Sequence, residues 1–109
     1  MATDYSKQKV LITSGASKKI SATQTSSSTA ITVAAPSNAL RFFNIGTNKV
    51  FIRTGNGTQM AVVDTDYYIA ANTVEIIFVD RNVASLNIGA ICDTGETATV
   101  YVSPVQIIE

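Results

Sequence analysis

The chain has no histidine and no tryptophan, one cysteine, two prolines, and charged residues at only 15% of its 109 positions. Each shortage excludes something. Without histidine there is no imidazole base for a Ser-His or Cys-His pair, and a lone Ser17-Lys18 lies in a polar turn without the context of an activated nucleophile. Cys92 on its own forms no intrachain disulfide and leaves a zinc ion without a ligand set. A single unpaired thiol also points to folding in a reducing compartment. The formal net charge is zero, so the basic excess needed to neutralise nucleic-acid phosphates is missing. No apolar run approaches a membrane-spanning length, and MATDYSKQKV has no apolar leader segment, so no membrane partner is expected. Nowhere do apolar residues recur at i, i+3, i+4 and i+7, which predicts little helix.

What is present is β-forming. Hydrophobic residues make up 46% of the chain, and Val, Ile and Thr dominate its regular stretches. Such β-branched side chains fit a pleated surface. One domain of this length buries roughly 65% of its unfolded surface, enough for a core without staples. Residues 39–57, ALRFFNIGTNKVFIRTGNG, read as the organising unit: an apolar arm, a turn around Gly46-Thr47-Asn48, and an alternating second arm. In that arm Val50 and Ile52 share one face, while Lys49, Phe51 and Arg53 share the other. A central β-hairpin is expected, closed by a second turn at Gly55-Asn56-Gly57.

Residues 1–6 read as a loose lead-in. A strand follows over 7–13 and another over 18–23, with Ile20 and Ala22 on one face. Residues 24–28 are a Ser/Thr tract expected to be a loop, and 30–34 alternate as a strand stopped by Pro36. Residues 58–63 suggest a short strand, and 67–70 lead into a turn at Ala71-Asn72. VEIIFV, residues 74–79, reads as a strand with Val74, Ile76 and Phe78 on one face and Ile77 and Val79 on the other, part of it buried on both. Residues 84–91 place Ala84, Leu86, Ile88 and Ala90 together; 92–96 read as a hairpin loop; 97–103 return with Ala98, Val100 and Val102 inward, ended by Pro104. The tail, 105–109, is too apolar to dangle and should dock on its own domain or a neighbour. About eight strands at this spacing are the mark of a sandwich, jelly roll or small barrel.

Charge is divided along the chain. Residues 1–53 carry Lys7, Lys9, Lys18, Lys19, Arg41, Lys49 and Arg53 against Asp4, and residues 54–109 carry seven acids against Arg81. Either the subunit is dipolar, or its halves interleave in a sandwich and the asymmetry disappears in space; interleaving is expected. Asp64, Asp66 and Asp80 have the chemistry of a calcium site, but Asp-Thr-Asp is also ordinary turn sequence, which is the expected reading. No cofactor and no active site are expected.

Arg41-x-x-Asn44-x-Gly46-Thr47-Asn48-x-Val50-Phe51-Ile52-Arg53-x-Gly55, followed by Gly95-x-Thr97-Ala98-Thr99-Val100-Tyr101-Val102-Ser103-Pro104, resembles small virion proteins of tailed bacteriophages, of the capsid decoration (cement) type. The resemblance implies an all-β, single-domain antiparallel β-sandwich of jelly-roll type. It further implies a homo-oligomer, with a trimer favoured, attached to the major capsid protein on the capsid exterior after synthesis in the host cytoplasm. Candidate contact residues are Lys7 and Lys9 in the leading segment, Phe51 and Arg53 on the second arm, and Val105, Ile107 and Ile108 in the tail. The pair Tyr67-Tyr68 belongs to this set and also to a rival reading, a carbohydrate- or host-receptor-binding module that stacks sugar rings on exposed aromatics. A low-copy tail or neck component is the other alternative.

Overall fold

The computed structural model describes residues 9–12, 15–80 and 82–108. Among them are nine strands: β1 (Lys9–Ile12), β2 (Lys18–Ala22), β3 (Ser27–Ala30), β4 (Ala39–Asn44), β5 (Val50–Asn56), β6 (Tyr67–Ile69), β7 (Thr73–Phe78), β8 (Leu86–Ile91) and β9 (Ala98–Ile108). They form two antiparallel sheets. The first has the order β1-β9-β4-β7, with β2 also on β9; the second has the order β3-β8-β5-β6.

The pairing follows one rule. β2 lies beside β9, β3 beside β8, β4 beside β7 and β5 beside β6. The chain is therefore one long antiparallel ribbon folded at its middle, over residues 57–66, and then rolled up. Rolling brings β4 to the free side of β9 and β5 to the free side of β8. This is a jelly-roll β-sandwich.

That rule corrects the expected hairpins. β4 and β5 belong to opposite sheets, and so do β8 and β9, so residues 45–49 and 92–97 are corners between layers. Each arm buries its own inner face: Leu40, Phe42 and Asn44 on one side, Val50 and Ile52 on the other. Side by side in one sheet the two arms could not face each other across the core. The corners at this end are tied together, Asn48 Nδ2 donating to the Thr97 carbonyl at 2.9 Å and the Gly95 amide to Gln24 Oε1 at 2.7 Å.

Alternation, by contrast, holds. Ile20 and Ala22, Leu86, Ile88 and Ala90, and Ala98, Val100 and Val102 all enter the core, joined there by Ile69 and Cys92. β3 falls at 27–30 rather than 30–34, and residues 58–63 form no strand. β5 runs on through Gly55 and Asn56, so the turn begins later than the glycines suggest. β7 is an edge strand, and Val74, Ile76 and Phe78 are exposed rather than buried.

Pro104 does not end its strand. On one side β9 pairs with β2 up to Val102 and with β1 from Val105, which leaves Pro104 in the gap between them. On the other side, the bond from the Ile45 amide to the Thr99 carbonyl fixes the alternation of the β4–β9 ladder. It makes Leu40 and Pro104 a non-bonded pair, so the amide hydrogen that proline lacks would have pointed at that gap. Residues 105–108 of the expected tail are thus the end of β9, paired with β1.

The ribbon also disperses the charge, because every pair joins an early strand to a late one. Both ion pairs found among the described residues link the basic half to the acidic half: Lys49 to Asp93 at 3.5 Å and Arg53 to Asp66 at 3.1 Å.

Candidate functional site

The outer faces of the two sheets differ. On the second sheet, residues 57–66 fold back over β5 and β8. Gln59 and Ala61 lie against Gly89, and the Gln59 side chain covers Gly55. The excursion is held by Asp66, which accepts from Arg53 Nε at 3.1 Å and from the Val62 amide at 2.6 Å. Phe51 shares this face. Its ring meets Tyr68 at 6.2 Å between centroids, with Lys49 Nζ 5.6 Å from its centre, and it is only 3% exposed.

The first sheet's outer face is open only in part: Ala39 and Val105 at its centre are buried, and the exposed apolar side chains lie along β7 and at Tyr101 and Ile12. Register places Phe78, Ala39, Val105 and Ile12 in one row across β7, β4, β9 and β1. Val74, Phe43, Tyr101 and Lys19 form a second row. Between them lie Ile76, Arg41 and Ser103, with the Arg41 guanidinium 5.7 Å from the centre of the Phe43 ring. Ile12 and Phe78 are about two-thirds exposed, and Val74, Ile76 and Tyr101 two-fifths. The ionisable groups of these rows are cations and a phenol, with no carboxylate. Val74, Ile76 and Phe78 follow one another along one strand, so their exposed side chains form a strip and are not singly scattered surface hydrophobes.

The expected contact residues scatter. Lys7 lies outside the described residues, and of Lys9 the backbone opens β1. Phe51 and Val105 are buried within their own chain and offer no free surface, a correction whose cause is local: Phe51 lies under its neighbours, and Val105 sits between β1 and β4. Arg53 is engaged with Asp66. Ile107 and Ile108 are half-buried, and the Ile107 amide donates to Asn38 Oδ1 at 2.9 Å. Tyr67 and Tyr68 are both well exposed but project to opposite faces, so they do not make a two-ring platform for a sugar.

Tyr67 lines a cleft of about 500 Å³ where the two sheets part, with Ile52, Thr54, Ile76, Ile77 and Phe78. The Glu75 carboxylate beside it raises the Tyr67 phenol above its ordinary value of 10.0; desolvation, a hydrogen bond to Glu75 and the neighbouring Tyr68 act in the same direction. No three acidic or thiol side chains among the described residues gather into a metal cluster. Asp66 is taken up by the Arg53 clasp, and Asp80 Oδ1 accepts from the Asn82 amide at 2.9 Å.

Cys92 is buried in the core, and its thiol is raised above 9.0 by that burial first and by Glu96 and Asp93 second. A protonated, buried thiol is a poor nucleophile. A disulfide reagent at about pH 8 should leave it untouched in the native protein and titrate it once the chain is denatured. Rapid reaction of the folded protein would contradict this placement.

The residue that sequence reasoning undervalued is Asn44, read as a turn flank and found fully buried. Its Nδ2 donates to the carbonyls of Asn48, Ile69 and Ala70 at 2.9, 3.2 and 3.3 Å, and its Oδ1 accepts from the Gly46 amide at 3.0 Å. It pins the β4–β5 corner to the β6–β7 corner. Its place at an alternate, inward position of β4 was the available signal.

Fold and surface together define an all-β jelly-roll sandwich with an excursion packed over one outer face and an exposed apolar strip along β7 on the other. No family model matches the chain, and no curated protein matches its sequence. A solved structure described as the crystal structure of PirA is similar, with 97% of each chain covered, a TM-score of 0.50 and 13% identity. At that identity the likeness concerns the fold alone.

Proposed function

We propose that this chain is a structural, non-catalytic virion protein of a tailed phage: a capsid decoration protein that binds the outside of the major capsid protein lattice, together with copies of itself, and stabilises the shell. One observation carries the contact part of this reading. Val74, Ile76 and Phe78 leave an exposed apolar strip along β7 on the outer face of the first sheet, whereas the chain spends ten residues packing over the corresponding face of the second. The virion part rests on the resemblance of residues 41–55 and 95–104 to decoration proteins. Many weak contacts repeated over a lattice would sum by avidity.

The test is to isolate the particle containing this chain and quantify the chain against the main shell subunit. A copy number equal to the shell subunit, or a simple fraction of it, is expected. A handful of copies per particle would place the protein in the tail or neck, and absence from particles would overturn the proposal.

A further inference from the structure

We infer that the free edge of β7 pairs with the β7 edge of a second copy of this chain, across a two-fold axis at Ile76. The proposal goes beyond the virion reading and does not depend on it.

Sheet edges are liabilities that proteins blunt by shortness, lysine or proline. Three edges here are blunted. β6 has three residues; β3 has four, three of them hydroxylic; β1 and β2 are short and carry Lys9, Lys18 and Lys19. β7 is different. It has six residues, TVEIIF, with neither lysine nor proline, and it closes its sheet.

The direction of its backbone groups follows from one bond. The Val79 amide donates to the Asn38 carbonyl at 3.3 Å in continuation of the β4–β7 register. Odd-numbered residues of β7 therefore bond to β4, and Val74, Ile76 and Phe78 turn their N–H and C=O groups outward. The same three residues carry exposed side chains on the sheet's outer face. Edge and face thus present one set of residues.

A second copy offers an edge with the same hydrogen-bonding phase and the same apolar residues, and charge then selects the register. Glu75 is the one charge of β7. Centring a two-fold pair on Glu75 would set two carboxylates directly opposite, about 5 Å apart between backbones. Centring it on Ile76 sets Glu75 opposite the partner's Ile77 and separates the carboxylates by two residues. That register places Ile76 opposite the partner's Ile76 and Val74 opposite the partner's Phe78. All three outward-turned residues then lie in reciprocally bonded pairs, and the apolar faces of both copies join into one surface. A strand edge alone buries less than the roughly 800 Å² per partner of a standard interface, so the pair should be concentration-dependent. Its symmetry is two-fold, whereas the trimer implied by the resemblance would need a separate contact.

Sedimentation velocity of the purified chain over a concentration series reads the result. A monomer–dimer equilibrium is expected, and Ile76→Pro should abolish it. Proline there removes only an outward amide and leaves the β4 ladder intact. Should Ile76→Pro not fold, Ile76→Lys places like charges at the axis and should give the same loss. Ile76→Cys should form a covalent dimer on mild oxidation, since facing bonded residues are about 5.5 Å apart, within disulfide reach; Val74→Cys, some 13 Å from its equivalent, should not. A wild-type monomer at every concentration, or a dimer that survives Ile76→Pro and Ile76→Lys, would overturn the pairing.

Discussion

Gly89→Ala should cost the fold about 2–4 kcal/mol, the order seen when a well-packed site is overfilled against groups that cannot rotate away. Gly89 sits in β8 with its missing side chain on the outer face, opposite Ser28 of β3 and Arg53 of β5. A Cβ there would overlap the Gln59 carbonyl oxygen, lie 2.8 Å from the Gln59 carbonyl carbon and 3.0 Å from the Ala61 amide. All three obstacles are backbone. Relief requires either bending β8, which is bonded on both sides, or lifting the 57–66 excursion. That excursion is anchored by the Gln59 amide on Ser28 Oγ at 3.0 Å, the Gly57 amide on the Ser85 carbonyl at 2.8 Å, and the Asp66 clasp. Replacing glycine returns about 0.5–1 kcal/mol by restricting the unfolded chain, too little to offset the overlap. Urea or thermal unfolding reads the loss. Gly57→Ala is the useful contrast, because its Cβ meets no atom and only its φ of 75° opposes the change. A Gly89→Ala protein as stable as the parent would show that the excursion does not rest on β8.

Asn44→Leu should be comparably damaging, by about 3 kcal/mol, although leucine is nearly the same size and the site is already buried. The cost lies in what is left behind. Removing the amide strips a donor from the Asn48, Ile69 and Ala70 carbonyls and an acceptor from the Gly46 amide. Burying unpaired polar groups costs about 1–3 kcal/mol each, reduced where water reaches the corner. The bond to Ile69 is the fully buried one and should dominate. Asn44→Asp separates the roles. Its carboxylate still accepts from Gly46 but opposes three carbonyl oxygens, which raises its pKa above the usual value near 3.9. A raised pKa means that stability is present below about pH 4 and lost as pH rises through the folded-state value. Asn44→Asp should therefore approach the parent's stability in acid and fall away from it towards neutrality, while Asn44→Leu shows no such trend. Equal losses for the two variants at all pH values would mean that packing, not the hydrogen bonds, governs the corner.

These two positions mark where the sequence stops being informative. Alternation within a strand is a local property, set by covalent geometry and by one face meeting a core. The inward sets of β2, β5, β8 and β9 were accordingly legible from residue type and spacing alone, as was the all-β class. Turn chemistry located most of the chain's reversals for the same reason.

What a reversal does was not local. A turn such as Gly46-Thr47-Asn48 serves equally in a hairpin or in a corner between layers, and only the rolled ribbon makes it a corner. Strand partners are decided by contacts between residues as far apart as Lys9 and Ile108, which no window of sequence contains. The same cause explains Pro104, permitted within β9 because two short strands happen to leave a gap beside it. It explains as well why apolar Phe51 and Val105 are covered while equally apolar Ile76 and Phe78 are bare. Composition and period determined that this protein is built of strands with one face inward; which outward apolar side chains stay exposed was decided by where strands and the 57–66 excursion came to rest.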